Sequence, residues 1–151
     1  MSEIKFATIG TSKITKTFLS AASNVPEFKL EAVYSRNIKN AIEFGTLYNV
    51  TKFYDSLKTL AEDRTIDAVY IASPNAFHCS QAIQMMKAGK HVLCEKSLAS
   101  NKKETEEMFR TAAENNVILL EAMRPVFDPG MDAVKASLNK LGVIRRATLN
   151  Y

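Results

Sequence analysis

Short apolar runs alternate with longer amphipathic ones along most of this chain. Residues 4–9 read as a strand and residues 14–22 as a helix. The pairing recurs as a strand over 28–34 with a helix over 38–47, then a short strand near Phe53 with a helix over 57–61. A buried strand over 68–72 follows, and Pro74-Asn75 starts a helix running to about Ala88, where Gly89 is placed as its C-cap. The alternation ends with a strand over 91–94, a helix running to Glu114 and a strand over 117–120. Asn101, with Glu104 three residues on, predicts a capping box at the start of that last helix. Repeated βα order predicts a doubly wound, Rossmann-type α/β domain, its parallel sheet covered by helices on both faces.

Past residue 124 the pattern changes. Arg124-Pro125 and Asp128-Pro129-Gly130 punctuate the chain, and a helix is predicted over 131–138. In residues 143–151, Ala147, Leu149 and Tyr151 alternate with Arg146, Thr148 and Asn150, the pattern of a strand with one buried face. No later strand follows to pair with it, and an unpaired strand of that kind is an aggregation liability. The expectation is one Rossmann-type domain over residues 1–124, with residues 125–151 as the linker helix and first strand of a truncated second α/β domain.

Composition narrows the class further. A length of 151 residues suits one domain, and no apolar run reaches the ~20 residues of a membrane helix. The start, Met1-Ser2-Glu3-Ile4-Lys5, lacks the basic-then-apolar plan of a secretion signal. The net charge of +4 is spread along the chain without a Lys/Arg block, which argues against a nucleic-acid partner. Cys79 and Cys94 have no metal-ligand spacing, so reduced thiols, a cytoplasmic setting and no metal are expected.

Four segments carry candidate chemistry. Ile9-Gly10-Thr11-Ser12-Lys13-Ile14-Thr15 joins the first strand to the first helix. A phosphate-binding turn needs a Gly for the bend, small residues for close approach and a helix N-terminus facing the anion. Gly10 meets the first need, and Ser12 and Thr15 stand where the usual fingerprint has its later glycines; a plain Gly turn with a Ser/Thr helix cap is the other reading. Ser35-Arg36 ends the second strand, where a site specific for NAD carries an acid. A hydroxyl and a guanidinium there suit a ribose 2′-phosphate, and a solvated loop arginine is the alternative. In Ala72-Ser73-Pro74-Asn75-Ala76-Phe77-His78, Pro74 sets a turn and Asn75 is placed to cap the next helix, with His78 read first as a local helix-end contact. Finally, His91-Val92-Leu93-Cys94 ends in Glu95-Lys96 at the edge where open α/β sheets bind ligands. A lysine desolvated there becomes a proton donor or acceptor. His91, at the opposite end of that strand, reads as structural.

Taken in order, Ile9-Gly10-Thr11-Ser12, Tyr34-Ser35-Arg36, Ser73-Pro74-Asn75 with His78, Glu95-Lys96 and Glu121-Ala122-Met123-Arg124 span about residues 4–130. This series resembles the glucose–fructose oxidoreductase, inositol dehydrogenase and MocA family of NAD(P)-dependent oxidoreductases. The resemblance implies that Gly10, Thr11, Ser12, Lys13 and Ile14 hold a pyrophosphate, and Ser35 and Arg36 the adenosine ribose or its phosphate. It implies that Ala72, Ser73, Pro74 and Asn75, with His78, lie at the nicotinamide ribose. Glu95 would contact the cofactor or position Lys96, the active-site lysine, and Arg124 would border cofactor and substrate. NADP is the expected cofactor, with NAD possible, and the small-molecule substrate is a sugar, polyol or related hydroxy/carbonyl compound.

The chain departs from the family pattern in two ways. Glu95-Lys96-Ser97 stands where the family has Glu-Lys-Pro, so the turn carrying the lysine lacks its shaping proline. The second domain, which in the family supplies further catalytic groups and the usual homo-oligomer contacts, is expected to be represented here only by its opening strand. Three readings follow: the cofactor-binding portion of a dehydrogenase or reductase, a dinucleotide-sensing module, or dinucleotide-assisted glycoside cleavage.

Overall fold

The structure, a computed structural model, describes residues 3–148. Six strands, β1 (Ile4–Ile9), β2 (Phe28–Tyr34), β3 (Lys52–Tyr54), β4 (Ala68–Ile71), β5 (His91–Cys94) and β6 (Leu119–Glu121), form one sheet in the order β3-β2-β1-β4-β5-β6. All neighbours are parallel. The helices between them are α1 (Lys13–Ala22), α2 (Ile38–Thr46), α3 (Leu57–Glu62), α4 (His78–Lys87) and α5 (Lys102–Glu114). Strand order reverses between β1 and β4, which creates the crevice where such sheets bind ligands.

Each helix sits where its apolar stripe and the right-handed crossover require. Moving outward from β1 to β3, the chain lays α1 and α2 on one face, where Leu19 and Phe44 pack on Phe6, Val33 and Val50. Crossing from β3 to β4 and on to β6, it lays α3, α4 and α5 on the other, where Leu60, Met85, Met86 and Met108 pack on Ile9, Ile71 and Val92. The α1/α2 face is therefore bare over β5 and β6, where an apolar groove is bordered by Tyr70, Leu93, Ile118 and Leu120.

Local signals close the helices. Gly89, at φ +79, follows α4, while Asn49 and Asn116 take positive φ after α2 and α5. Asn101 accepts from the Glu104 backbone N–H at 3.0 Å, and Glu104 reaches back to accept from Ser100 N–H at 2.9 Å. The expected capping box thus forms, with its return bond one residue earlier than in the standard pattern.

The end of the chain departs from the expectation. A sixth helix, α6 (Pro129–Ser137), does form, with Asp128 accepting from Gly130 N–H at 2.7 Å, but it buries no residue. Described residues 123–148 are all exposed. The strand predicted over 143–151 is absent from the described part, 143–148, and Leu149 to Tyr151 lie outside the described residues. A strand exists through its ladder, and no described strand lies beside this segment to bond with it.

A half-buried polar knot fastens β2 and β3 to the loop leading into β4. Asp63 accepts from Thr65 N–H at 2.8 Å, Thr65 Oγ1 at 2.7 Å, Tyr54 hydroxyl at 2.7 Å and Lys52 Nζ at 3.3 Å. Lys52 also pairs with Glu31 at 3.2 Å, and the buried Lys90 donates to the Asp63 and Ile66 carbonyls at 2.6 and 3.0 Å. Burial raises the Asp63 carboxyl, but the bonds from Thr65, Tyr54 and Lys52 outweigh it and hold the group well below the usual carboxylate range. Burial and the bond to Asp63 push the Tyr54 hydroxyl up to about 12, so it remains a donor.

Asp63→Asn is expected to lower unfolding free energy near neutral pH by about 1–3 kcal/mol in urea titrations, because the knot loses a charged acceptor. The folded carboxyl titrates below its unfolded value of about 3.9. Its contribution is therefore complete above that value and disappears as pH falls through the folded range, so the two proteins should converge in stability in acid.

Candidate dinucleotide and proton-transfer site

The crevice between β1 and β4 brings three of the sequence-predicted turns together. Gly10 leaves β1 at φ +114 and donates to the Tyr34 carbonyl at 3.1 Å. A Cβ built there would lie 2.7 Å from the Ala72 carbonyl oxygen, so only glycine allows the two backbones to meet. Thr15 is fully buried and donates to the Gly10 carbonyl at 3.3 Å, which fixes the turn from the helix side. Ser12 occupies the N-cap position of α1, yet its hydroxyl makes no capping bond and lies 3.5 Å from Thr15 Oγ1. The cap reading of Ser12 therefore does not hold for its side chain, and the helix N-terminus faces the crevice with N–H donors suited to an anion.

One cavity, about 480 Å³, runs from Gly10, Thr11 and Ser12 to Ser35 and Arg36, with Ala72, Ser73 and Pro74 on its other wall. Ser35 donates its backbone N–H to the Tyr54 carbonyl at 3.0 Å. The Arg36 guanidinium lies 5.4 Å from the centre of the Phe77 ring, a cation–π contact that orients it. Phe77, Leu57, Asn40 and Gln81 also border this cavity and were not picked out from the sequence. Phe77 and Gln81 are four residues apart, so helical spacing placed both on one face; what hid them was the lack of any chemical signature in a lone Phe and Gln.

A second cavity, about 440 Å³, continues along the same sheet edge from Ser12 and Ile14 past Ala72, Ser73, Pro74 and Asn75 to Glu95 and Lys96. Asn75 does not cap α4, contrary to expectation. A 3₁₀ turn, Asn75–Phe77, intervenes and moves the N-cap position to Phe77. Ser73 Oγ donates to Gln81 Oε1 at 2.6 Å, which ties the loop to α4. His78 is fully buried behind this wall, between the Ser73 and Ser97 carbonyls. His91 lies at the far end of β5, where Nδ1 accepts from Ile118 N–H at 3.0 Å.

Glu95 is anchored from beneath. The Tyr70 hydroxyl donates to Oε1 at 2.6 Å, and the Lys96 backbone N–H to Oε2 at 3.3 Å. Tyr70 in turn stacks on Phe18 of α1 with centroids 3.9 Å apart and planes at 13°. Burial, then the bond to Glu95, raise the Tyr70 hydroxyl far above its ordinary value, so it stays protonated as a donor. Lys96 is exposed, so the described residues alone do not form the desolvated setting expected for it. The Lys96–Ser97 peptide is cis without a proline. The turn is held on its far side by Leu98 N–H, which donates to Glu121 Oε1 at 2.9 Å. Lys13 and Arg124 border neither cavity; Arg124 opens a 3₁₀ turn, Arg124–Phe127, beyond β6.

Residues 4–123 match the family model described as the Gfo/Idh/MocA oxidoreductase family, NAD-binding Rossmann fold. The chain belongs to that family. It is 49% identical over 148 residues to scyllo-inositol 2-dehydrogenase (NADP(+)) IolU of Bacillus subtilis (strain 168), covering 98% of this chain and 45% of IolU. It is 30% identical over 141 residues to trans-1,2-dihydrobenzene-1,2-diol dehydrogenase of Xenopus tropicalis, covering 92% of this chain and 43% of that enzyme. Among solved structures, KijD10, a 3-ketoreductase from Actinomadura kijaniata in complex with TDP-benzene and NADP, superposes with a TM-score of 0.87 at 28% identity. That match covers 95% of this chain and 45% of KijD10. The chain thus spans about half the length of the curated relatives it matches.

The residues fit the dinucleotide that the family implies. A Cβ-free turn, a helix N-terminus without a side-chain cap and an arginine at the end of β2 border one continuous crevice. Gly10→Ala combines a backbone clash with a disfavoured φ and should destabilise the domain by about 1–3 kcal/mol in chemical denaturation. It should also abolish detectable NADP binding by calorimetry under conditions in which the unsubstituted protein saturates.

Proposed function

We propose that this chain is the cofactor-binding half of an NADP-preferring dehydrogenase or reductase of cytoplasmic setting, acting on a sugar, polyol or related hydroxy/carbonyl compound. The observation that carries the preference is the cavity at the end of β2. Ser35 and Arg36 border it, and among the described residues no carboxylate does, so a 2′-phosphate meets a hydroxyl and a guanidinium where an acid would repel it. The NADP named for IolU and held by KijD10 supports the same choice.

Each residue then has a stated task. The N–H groups at the start of α1 and the Ser12 hydroxyl bind the pyrophosphate, with Gly10, Thr11 and Ile14 shaping the approach and Lys13 adding charge nearby. Ala72, Ser73, Pro74 and Asn75 line the nicotinamide ribose. Lys96 receives or returns the proton of the substrate hydroxyl, and Glu95, fixed by Tyr70, holds the start of its turn. When bound, the nicotinamide dinucleotide supplies or takes up the hydride. In this reading residues 1–124 form the dinucleotide domain. Residues 125–151 enter a second domain that closes over Lys96, excludes water and carries both Arg124's substrate contacts and the homo-oligomer interface.

Titration with NADP and with NAD tests the cofactor choice, and Arg36→Ala should weaken NADP by about 1.5–3 kcal/mol while leaving NAD nearly unchanged. Tighter binding of NAD by the unsubstituted protein would reject the Arg36 assignment. In a protein carrying both domains, Lys96→Ala should reduce kcat by about 10²–10⁴-fold with NADP affinity retained. Unchanged turnover would remove Lys96 from the chemistry, and a protein that binds NADP without any turnover would favour a sensing module.

A further inference from the structure

His78 opens α4 and is fully buried, yet both of its ring nitrogens meet backbone oxygen. Nε2 lies 2.8 Å from the Ser73 carbonyl and Nδ1 lies 2.9 Å from the Ser97 carbonyl. Those two carbonyls come from two segments at the second cavity, since Ser73 borders it and Ser97 directly follows Lys96, which borders it too. The same helix grips the first segment again one turn on, where Ser73 Oγ donates to Gln81 Oε1 at 2.6 Å. The lysine turn is gripped from its other side by Glu121, which accepts from Leu98 N–H at 2.9 Å.

A proline after the lysine would restrain the turn through its own ring. With Ser97 in that place, the restraint has to come from outside the turn. We infer that His78 is a positioning residue whose imidazole sets the spacing between the Ser73 wall and the Lys96 turn. A carbonyl oxygen only accepts, so a ring with one N–H ties one segment and a ring with two ties both. In either form the flat ring spans a gap that an aliphatic side chain would fill without bonding. The inference rests on the acid/base role proposed for Lys96, because the consequence of losing the spacer is a misplaced ammonium group.

The test uses a protein carrying both domains, with His78→Ala and His78→Gln. His78→Ala should lower kcat about 10–100-fold, the scale produced by a displacement of about 1 Å at a reacting group. NADP affinity should stay within about threefold, since such a change is under a kcal/mol. His78→Gln retains a side-chain N–H donor and should recover part of the lost kcat. Amide exchange at Leu98 should quicken in the Ala variant while exchange in β1 stays unchanged. Two outcomes would overturn the inference: an unchanged kcat with unchanged Leu98 exchange, or a joint fall of kcat, NADP affinity and β1 protection, which marks a core filler. If the unsubstituted protein shows no turnover, the enzymatic reading fails instead, and the exchange comparison alone decides whether His78 holds the turn.

Discussion

The approach of one backbone to another at the end of β1 is the constraint on which the remainder of the site depends. Gly10 lies against Ala72 and Ser73 at a distance that excludes any side chain. That contact brings the turn after β1, the loop after β4 and, through the parallel register of β4 with β5, the Glu95–Lys96 segment onto one edge. The fold supplies direction as well as proximity, because every strand is parallel and all the carboxyl ends point the same way. Widening that single contact would separate the Gly10 turn from the rest of the crevice.

The polar contacts fall into a half-buried set around Asp63 and a buried set behind the crevice. The Asp63 knot joins β2, β3 and the approach to β4 at a distance from the crevice, where no described residue of either cavity takes part except through the strands themselves. Near the crevice, the buried polar side chains Thr15 and His78 hold backbone atoms and leave the cavity surfaces to others, while Gln81, which borders the first cavity, holds the Ser73 hydroxyl. Placement and chemistry are thus given to different residues, which is how a preorganised site keeps its reactive groups available.

Much of this architecture was legible because it rests on local signals. Apolar periodicity located the six strands of the sheet and the helices between them, and Gly89 and Asn101 marked boundaries that the structure keeps. The turns at Gly10 and Ser35-Arg36 stood out because the phosphate-site pattern restricts residue type at fixed offsets from a strand, and the structure brings both to one cavity. What escaped was set by distant partners. Asn75 was given a cap that a 3₁₀ turn displaced, and nothing in the residues around Pro74 announces that turn. The strand foreseen over 143–151 had the right alternation, but alternation records a face and not a neighbour. Tyr70 read as one more apolar strand residue until its hydroxyl was found on Glu95, twenty-five positions away.

The stack of Phe18 on Tyr70 gives α1 a second office. Its first turn faces the crevice proposed to receive the pyrophosphate, and its middle presses on the ring whose hydroxyl holds Glu95. One rigid rod is therefore the common mount for two stations along the sheet edge. Any axial slide or tilt of α1 moves both at once, so the distance between the Gly10 turn and the lysine turn is kept by helix stiffness and not by a loop.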